Sequence, residues 1–536
     1  MKKTWQRMSN GLRQRWTHQK ANQRWQGLNT AVARNSRPNT DSRPVVFFNA
    51  STRLQAMSQN AAYSLLSAMA VRLQGVPVIH FVCKSGMQRC VLGSNRDDFN
   101  SRPPCAACAR QSRSVFRETD TRWLEARVYP ELAQELIELS TSSLESFTYN
   151  GIPLGMWAVN SLRWMLRRHN LENDDNTRAF FRSFILSGWN VYTQFSELLK
   201  EINPRAVVLF NGMFFPEAAA RHACMEQGVR VITHEVGLRP FTAFFTSGEA
   251  TAYPMSIDPN FQLDSAMEEK LDGYLSTRFS GDFTMAGIRF WPEMKQLDAN
   301  MLKTIETYQK FVPVFTNVIF DTSQVHANTL FENMFAWLEN IKSTALSHSE
   351  ILFVFRAHPD ECRPGKESRE SVAGWVTSSG LTQLPNVVFI DSGEYINSYE
   401  LIRRAHLVMV YNSTIGLEAA LLGKPVLAGG KARFTQLETA YYPASADEYK
   451  TLLDQLLTAD HIDTPPVFTR NARRFLYCQL FATSLDFSDF VEEDGIWKGY
   501  VKPRNFSLEM LKPQNSTTMK TVLNGILGNG DFTLPI

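Results

Sequence analysis

The chain of 536 residues has no apolar run long enough to cross a bilayer, which takes roughly 18 or more consecutive apolar side chains. Lys2 and Lys3 stand near its amino terminus, but no apolar segment typical of a secretory signal follows them. We therefore expect a cytoplasmic location. Cysteine is also scarce, with seven residues, and in that compartment we expect thiols or metal ligands rather than disulfides.

A strong charge asymmetry marks the amino-terminal segment. Residues 1–44 carry ten basic residues and one acidic residue, a local charge of +9, so the rest of the chain sums to −6 within an overall +3. Four apolar residues return to one helical stripe, namely Trp5, Met8, Leu12 and Trp16. This pattern suits contact with an anionic membrane surface through residues 1–30, and a peripheral position at the inner face of the membrane. A disordered tail and a helix docked on the protein remain alternatives.

The remaining composition and pattern predict an α/β protein. Hydrophobic residues make up 44% and charged residues 20%, as in soluble globular proteins, and the chain is too long for one core. Short apolar runs alternate with helical segments, which is typical of parallel sheets. We expect two Rossmann-like domains facing a cleft. Predicted boundaries are 1–44 for the basic tail, 45–300 for the first domain with a helical insertion, 301–460 for the second, and 461–536 for an extension packing back toward the first. No nucleic-acid motif is present, so we expect no such partner.

A basic pair follows the apolar strand predicted over residues 351–355. The sequence there is Arg356-Ala357-His358-Pro359. Arg and His make charge-assisted hydrogen bonds to phosphate, and a histidine can stabilise charge on a departing phosphate. The alternatives are a surface ion pair for Arg356 and an ordinary loop position for His358.

Small polar residues follow a second apolar strand, predicted over residues 407–410. Asn412, Ser413 and Thr414 open a predicted helix, and helix starts after strands favour phosphate. Gly416 leaves room for a ligand or a neighbouring strand, and Glu418 lies on the helical face of Thr414, where it could accept both hydroxyls of a ribose. Ordinary N-capping and a dipole interaction are the alternatives. Asn317 and Asp321 belong to a polar cluster at the end of a strand predicted over residues 312–320.

These residues resemble a known family. Arg356 to Pro359, together with Asn412 to Ala420 and Gly423-Lys424-Pro425, resembles the carboxy-terminal domain of bacterial capsule polysaccharide biosynthesis glycosyltransferases of the GT-B fold. The His-Pro and Ser/Thr pairing is similar to that of sialyl- and Kdo-transferases that use CMP-sugars. The resemblance covers about residues 311–430. It implies that His358 contacts the donor phosphate, that Ser413 and Thr414 contact phosphate or nucleoside, and that Glu418 contacts ribose.

The same resemblance implies an acceptor site in the first domain. His234 and Glu235 end a predicted strand there, and either could deprotonate an acceptor hydroxyl, while pairing of Glu235 with Arg239 is the alternative. We expect a transferase that moves a sugar from a CMP- or UDP-sugar to a surface polysaccharide or lipid-linked glycan. No Asp-X-Asp stands near a strand end, so a catalytic metal is not required. Phosphopolyol transfer from CDP-glycerol and a non-catalytic assembly protein are the alternatives.

Four of the seven cysteines lie within 26 residues. They are Cys83, Cys90, Cys105 and Cys108. The Cys105-X-X-Cys108 spacing is that of structural zinc sites, although six residues separate Cys83 from Cys90, which is wider than usual. Such a zinc ion would be structural, because four protein ligands leave no open position. Buried thiols and a redox pair are the alternatives.

Overall fold

The computed structural model describes residues 2–39, 41–50, 56–279 and 294–535, with side chains from residue 16 onward. Strands of the first half are β1 (Val45–Asn49), β2 (Met57–Ser58), β3 (Val78–Cys83), β4 (Asp120–Leu124), β5 (Ala206–Phe210), β6 (Arg230–Val236) and β7 (Thr242–Thr246). Its helices are α1 (Lys2–Asn35), α2 (Gln59–Leu73), α3 (Cys105–Val115), α4 (Pro130–Glu135), α5 (Thr141–Glu145), α6 (Leu154–Leu166), α7 (Asp175–Ile202), α8 (Phe215–Glu226) and α9 (Ser265–Phe279).

The first sheet is built around a parallel core. Its strands lie in the order β6-β5-β1-β3-β4, with β7 antiparallel beside β6. All five residues of β1 are buried, since the strand sits between layers of helices. In chain order this arrangement is 5-4-1-2-3, the doubly wound topology, and the order reverses between β1 and β5. Ligands of such sheets bind at the carboxyl ends of strands on either side of that reversal.

The second domain repeats the same topology. Its strands are β8 (Lys310–Phe315), β9 (Ile351–Arg356), β10 (Val387–Ile390), β11 (Val408–Val410) and β12 (Val426–Ala428). Its helices are α10 (Ala299–Thr307), α11 (Gln324–Ala327), α12 (Met334–Ser347), α13 (Val372–Ser379), α14 (Ser398–Arg404), α15 (Ile415–Leu421) and α16 (Ala446–Thr458). The parallel order is β10-β9-β8-β11-β12, so the reversal lies between β8 and β11. The predicted fold class, two Rossmann-like domains facing a cleft in a GT-B-like arrangement, is confirmed.

The carboxy-terminal extension touches both domains. It contains α17 (Pro466–Tyr477), β13 (Leu485–Asp486), β14 (Val491–Glu493), β15 (Tyr500–Pro503) and α18 (Thr517–Leu527). Helix α17 buries Ala472 and Phe475 in the core of the second domain. Strand β13 then pairs with β7 at the edge of the first sheet, and α18 packs on α2 in the first core. The extension therefore ties the two sheets together.

The amino-terminal segment forms helix α1, and its second half packs on the protein. Trp25 and Val32 are fully buried in the first core, and Asn22 exchanges hydrogen bonds of 3.0 and 2.9 Å with Gln111. The side chains of Trp5, Met8 and Leu12 lie outside the described residues. Trp16 is 59% exposed, with Lys20 over its ring. Among the described residues, no helix combines the length and apolar character needed to cross a membrane.

Candidate functional site

A cavity of about 500 Å³ opens at the carboxyl ends of β8 and β11, where the second sheet reverses its strand order. Leu238, Thr251 and Ala252 of the first domain form its opposite wall. Eight residues singled out from the sequence line it: Asn317, Asp321, Arg356, His358, Asn412, Ser413, Thr414 and Glu418. Two separate strand ends thus meet at one cleft between the domains.

Arg356 supplies a buried positive charge to this cavity. The residue is 2% exposed, and Nη1 donates to the carbonyl oxygen of Asp391 at 3.0 Å. Its Nε is buried and has no hydrogen-bond acceptor. Burial lowers the pKa of Arg356 to about 10, so the side chain stays cationic at neutral pH. A buried cation with an unsatisfied donor favours an anionic ligand.

His358 is held in one tautomer by the turn that follows it. The backbone N–H of Asp360 donates to Nδ1 at 3.1 Å, so the proton of the neutral ring lies on Nε2. Burial lowers the pKa of His358; Asp360 and Asp321 oppose this shift, and Arg356 adds to it. The ring therefore acts as an Nε2–H donor at neutral pH, which suits a hydrogen bond to a phosphate oxygen.

The hydroxyl residues face the same space from β11. Ser413 is 7% exposed and Thr414 is the N-cap residue of α15, yet the Thr414 side chain makes no capping hydrogen bond. Gln324 donates to Asn412 Oδ1 at 3.2 Å and fixes that amide. Helix α15 has only seven residues, so its dipole is small. The polar side chains, rather than the helix dipole, therefore provide the polar groups at this end of the cavity. The N-capping alternative for the Thr414 hydroxyl is thus not what the structure shows.

Glu418 is engaged by two neighbours inside the cavity. Its Oε1 accepts from Arg278 at 2.9 Å and its Oε2 accepts from the Tyr399 hydroxyl at 2.9 Å. The carboxylate is therefore oriented and its charge is balanced before any ligand arrives. An Arg278 at this position was not predicted, because nothing in the sequence links residue 278 to residue 418.

Gly416 has a packing role. A Cβ there would stand 2.8 Å from Phe434 and 2.9 Å from Val410, distances that real contacts do not reach. The glycine thus lets α15 approach strand β11 and the following loop. The structure supports the alternative that a neighbouring strand needs the space at Gly416. Contact of Gly416 with the donor stays a prediction.

Asn317 and Asp321 follow a strand that is shorter than predicted. Strand β8 ends at Phe315, where its partner β9 ends at Arg356, so residues 316–320 are not strand; 316–318 are irregular and a turn follows at 319–320. Asn317 still lines the cavity, and its Oδ1 is buried without a donor. Asp321 lies at the rim, where it lines both this cavity and a second one.

Two cations of the cavity were missed by sequence reasoning. Lys431 and Arg433 follow β12 and line the cavity, with the Arg433 guanidinium 3.8 Å from the centre of the Tyr253 ring. Their position in the sequence could have revealed them, because they follow the buried strand Val426–Ala428. The carboxyl end of that strand lies at the same edge of the sheet as those of β8 and β11. With Glu418 balanced by Arg278, they add to the positive charge of Arg356.

A second cavity of about 390 Å³ lies at the carboxyl ends of β1 and β5, the reversal point of the first sheet. Its walls combine apolar and aromatic side chains with polar ones. Its lining includes Phe48, Asn49, Asn60, Trp164, Phe210, Asn211, Phe214, His234, Glu235, Asp321 and Lys366. Asp321 is shared with the first cavity, so the two spaces adjoin across the cleft.

Glu235 and His234 both line this second cavity but differ in basicity. Glu235 accepts from Asn60 Nδ2 at 2.8 Å and from Asn211 Nδ2 at 3.3 Å, and burial raises its pKa despite these donors. His234 is 2% exposed, and burial lowers its pKa to about 3. A carboxylate with a raised pKa is the stronger proton acceptor of the two. Arg239 instead donates to Leu480 and Ser484, so the predicted Arg239 alternative for Glu235 is wrong.

The four clustered cysteines also line the second cavity. Burial raises the pKa of the Cys90 thiol to about 12 and that of Cys108 to about 11, with neighbouring thiols adding to both shifts. Among the described residues, no three His, Cys, Asp or Glu side chains form a ready metal-binding group. Zinc at these residues stays a prediction.

One protein family matches a part of the chain that includes most of the second domain. Residues 285–438 match the family described as capsule polysaccharide biosynthesis protein, which confirms the resemblance predicted from the motifs. No curated protein sequence matches the chain.

Similar solved structures cover more of the chain at low identity. The beta Kdo 2,4 transferase of Thermosulfurimonas dismutans KpsC is 13% identical, with a TM-score of 0.37 over 57% of this chain and 87% of that chain. The UDP-GlcNAc 2-epimerase from Neisseria meningitidis bound to UDP-GlcNAc is 14% identical, with a TM-score of 0.24 over 81% and 97%. At these TM-scores the similarities say nothing about the activity of this chain.

Proposed function

We propose that this chain, whose residues 285–438 match the family described as capsule polysaccharide biosynthesis protein, is a glycosyltransferase that takes a sugar from a nucleotide-sugar donor. The acceptor is a surface polysaccharide or a lipid-linked glycan. One observation carries this proposal. Two cavities, each at the reversal point of a doubly wound sheet, adjoin at Asp321 across the interdomain cleft.

The cavity of the second domain fits the donor. Arg356, His358, Lys431 and Arg433 supply positive charge and hydrogen-bond donors for phosphate, and Ser413 and Thr414 add hydroxyls. Glu418 is oriented by Arg278 and Tyr399 with its remaining acceptor capacity directed at ribose hydroxyls. The nucleotide is CMP or UDP in this proposal.

The cavity of the first domain fits the acceptor. Aromatic walls give flat surfaces for a sugar ring or a lipid chain, and Glu235 supplies the base. The acceptor oxygen attacks the anomeric carbon, its proton passes to Glu235, and the bond from the anomeric carbon to the phosphate oxygen breaks. The leaving phosphate takes the electron pair and is stabilised by Arg356 and His358.

A nucleotide screen tests the donor half of the proposal. We expect CMP or UDP to raise the melting temperature of the wild-type chain, because a ligand that binds only the folded state stabilises it. His358→Ala should lose most of that shift, since it removes the Nε2–H donor. The measurement is a thermal shift with CMP, CDP, UDP and GDP at equal concentrations.

His461→Ala is the control for His358→Ala in this thermal-shift measurement. His461→Ala removes a histidine whose side chain is 84% exposed, and its shift should equal that of wild type. Equal shifts for wild type and His358→Ala would remove His358 from the site. Stabilisation by CDP-glycerol with no response to any nucleotide sugar would favour phosphopolyol transfer instead.

The charge of the amino-terminal segment supports a position at the inner face of the membrane. Residues 1–44 carry a local +9, and the exposed Trp16 provides an interfacial anchor. We expect the chain to sediment with vesicles containing anionic phospholipid and not with phosphatidylcholine alone, and to dissociate as salt rises.

Charge reversal provides the control for vesicle binding. Lys2→Glu, Lys3→Glu and Arg7→Glu together should abolish sedimentation. Reversal of Arg403, Arg404 and Lys450, which lie on the second domain, should leave it unchanged. Equal sedimentation of both triple variants would show that the amino-terminal charges do not direct the chain to membranes.

A further inference from the structure

A third cavity opens between the two domains, beside the two already described. Its volume is about 480 Å³, which is within the range of small-ligand sites. Helices α5 and α6 of the first domain form one wall, and residues 319–328 of the second domain form the other. Asp321 and Thr322 line both this cavity and the proposed acceptor cavity. A ligand that extends beyond the acceptor cavity on this side therefore reaches the third cavity.

The wall formed by α6 follows from helical spacing. Met156, Val159, Asn160 and Arg163 stand at intervals of three and four residues, so they lie on one face of the helix, and all four line the cavity. Val159 is buried, whereas Met156 is 63% exposed at the rim. Val325 lines the cavity from the second domain and is 46% exposed. Apolar side chains from both domains thus flank the opening.

The basic groups of the third cavity are not available to an anion. Arg163 donates from Nη2 to Glu145 Oε1 at 2.6 Å and from Nε to the carbonyl oxygen of His169 at 2.9 Å. Burial lowers the pKa of His169 to about 4, and Arg163 adds to this shift, so the ring is neutral at neutral pH. Asp321 adds a carboxylate at the rim. The cavity therefore differs from the donor cavity and disfavours a ligand that carries phosphate.

Gln324 presents an unsatisfied acceptor at the wall of this cavity. It is 4% exposed, its Nε2 donates to Asn412 Oδ1 at 3.2 Å, and its Oε1 is buried without a donor. A buried acceptor without a donor is unfavourable, and a ligand hydroxyl would satisfy it. Asn160 is partly exposed, and among the described residues its amide has no hydrogen-bond partner. Two amides on opposite walls are thus open to a ligand.

The other neutral polar groups also match sugar hydroxyls. Hydroxyl and amide side chains both donate and accept hydrogen bonds, as the hydroxyls of a saccharide do. Phe320 lines the cavity as well, and its aromatic ring gives an apolar surface for the C–H groups of a sugar ring. The remaining hydroxyl and amide residues of the lining are Ser142, Ser146, Thr322 and Asn328.

We propose that the third cavity binds an uncharged saccharide unit of the acceptor glycan, next to the unit that receives the transferred sugar. Asn160 and Gln324 hydrogen-bond its hydroxyls from the two domains, and Met156 and Val325 cover it at the rim. This inference rests on the proposed function, which assigns the adjoining cavity to the acceptor. It implies that the chain binds an acceptor of two or more sugar units more tightly than a monosaccharide.

A glycan array tests the site without any turnover. The full-length chain, labelled with a fluorophore, is applied to uncharged and acidic mono- to tetrasaccharides. We expect binding to uncharged saccharides of two or more units, with weaker signals for the monosaccharides. Binding to acidic saccharides alone, or to no saccharide, would overturn the proposal.

Asn160→Ala measures the contribution of the α6 wall. It should weaken binding of the best disaccharide by roughly 3- to 10-fold, the worth of one neutral hydrogen bond, as measured by isothermal titration. The matched control is Asn300→Ala, at an exposed position of α10 outside the three cavities, which should bind like wild type. Equal affinities of Asn160→Ala and wild type would remove the saccharide from this cavity.

A measurement on the wild-type chain covers the case in which Asn160→Ala fails to fold. Saturation-transfer NMR should show the bound disaccharide, and its signal should persist when CMP or UDP is added in excess. Displacement of the disaccharide by nucleotide would place it in the donor cavity and contradict the proposal.

Failure of this inference and failure of the proposed function give different results. If the nucleotide shift of the thermal screen is observed but Asn160→Ala binds disaccharide like wild type, the third cavity is not a saccharide site and the transferase proposal stands. If disaccharide binds and depends on Asn160 but no nucleotide stabilises the chain, the saccharide site stands and the transferase proposal fails.

Discussion

Glu235→Gln is expected to lower kcat by about 100- to 10,000-fold, the usual contribution of a general base. Gln keeps the shape of the side chain, and its single carbonyl oxygen can accept from either Asn60 or Asn211, but it cannot accept the proton of the acceptor hydroxyl. Nucleotide affinity should stay at the wild-type value, because Glu235 lines the other cavity. The measurement is steady-state transfer with the donor selected by the nucleotide screen.

The pH dependence of kcat/KM also tests whether Glu235 is the base. Burial raises the pKa of Glu235, and only the ionised carboxylate accepts a proton. The wild-type kcat/KM should therefore fall as pH decreases through that raised pKa, with a midpoint above the ordinary glutamate value. Glu235→Gln should lack this acid limb, and its residual rate should not follow the same titration.

A surface glutamate provides the matched control. Glu201 pairs with Arg122 at 3.0 Å and its side chain is 60% exposed, so Glu201→Gln should leave kcat and the pH profile unchanged. If Glu235→Gln retained more than a tenth of wild-type kcat, the base would have to be another group. Asp321, which lies between the two cavities, would then be the first to replace.

Arg356→Gln is expected to weaken nucleotide binding by roughly 10- to 100-fold, the worth of one charge-assisted hydrogen bond to phosphate. Gln keeps an uncharged polar side chain here, but it is two bonds shorter than Arg and loses the hydrogen bond from Nη1 to the carbonyl oxygen of Asp391. It removes the buried positive charge and the unsatisfied Nε donor at the cavity wall. Isothermal titration of nucleotide into both proteins measures the change.

The loss should depend on the phosphates rather than on the nucleoside. Arg356→Gln should bind the free nucleoside as weakly as wild type does, so the difference between the two proteins disappears without phosphate. Arg404→Gln, on an exposed face of α14, should bind nucleotide like wild type. An equal loss for nucleoside and nucleotide would mean that the substitution disturbs the fold instead.

The parts of the fold predicted from sequence are those with buried, regular patterns. The apolar run of residues 45–49 predicts the strand observed at Val45–Asn49, and the strand ends carrying His358 and Ser413 are also predicted correctly, because fully buried parallel strands read as continuous apolar runs. Strand β4 is not predicted from the sequence, and its last three residues fall within residues 122–200, whose pattern indicates mostly helix. It lies at the sheet edge and has only one buried residue, Leu124, so no apolar run marks it.

The cavity chemistry was predicted only where it follows strands closely in sequence. Arg356 and Ser413 stand directly after buried strands, whereas Arg278 reaches Glu418 from 140 residues away. Strand β7, Thr242–Thr246, was missed because it is short and joins the sheet antiparallel, outside the alternating strand and helix pattern. Contacts that depend on tertiary packing leave no pattern in the neighbouring sequence. For this reason the sequence does not predict that the two cavities adjoin at Asp321.

The central claim is that the strand ends at His358 and Ser413 form one phosphate-binding site between the domains. A crystal structure of the chain with the nucleotide that stabilises it most is the direct measurement. We expect phosphate within hydrogen-bond distance of His358 Nε2 and of the Ser413 or Thr414 hydroxyl, with ribose beside Glu418. Nucleotide seated instead in the cavity beside Glu235, or bound away from both strand ends, would contradict it.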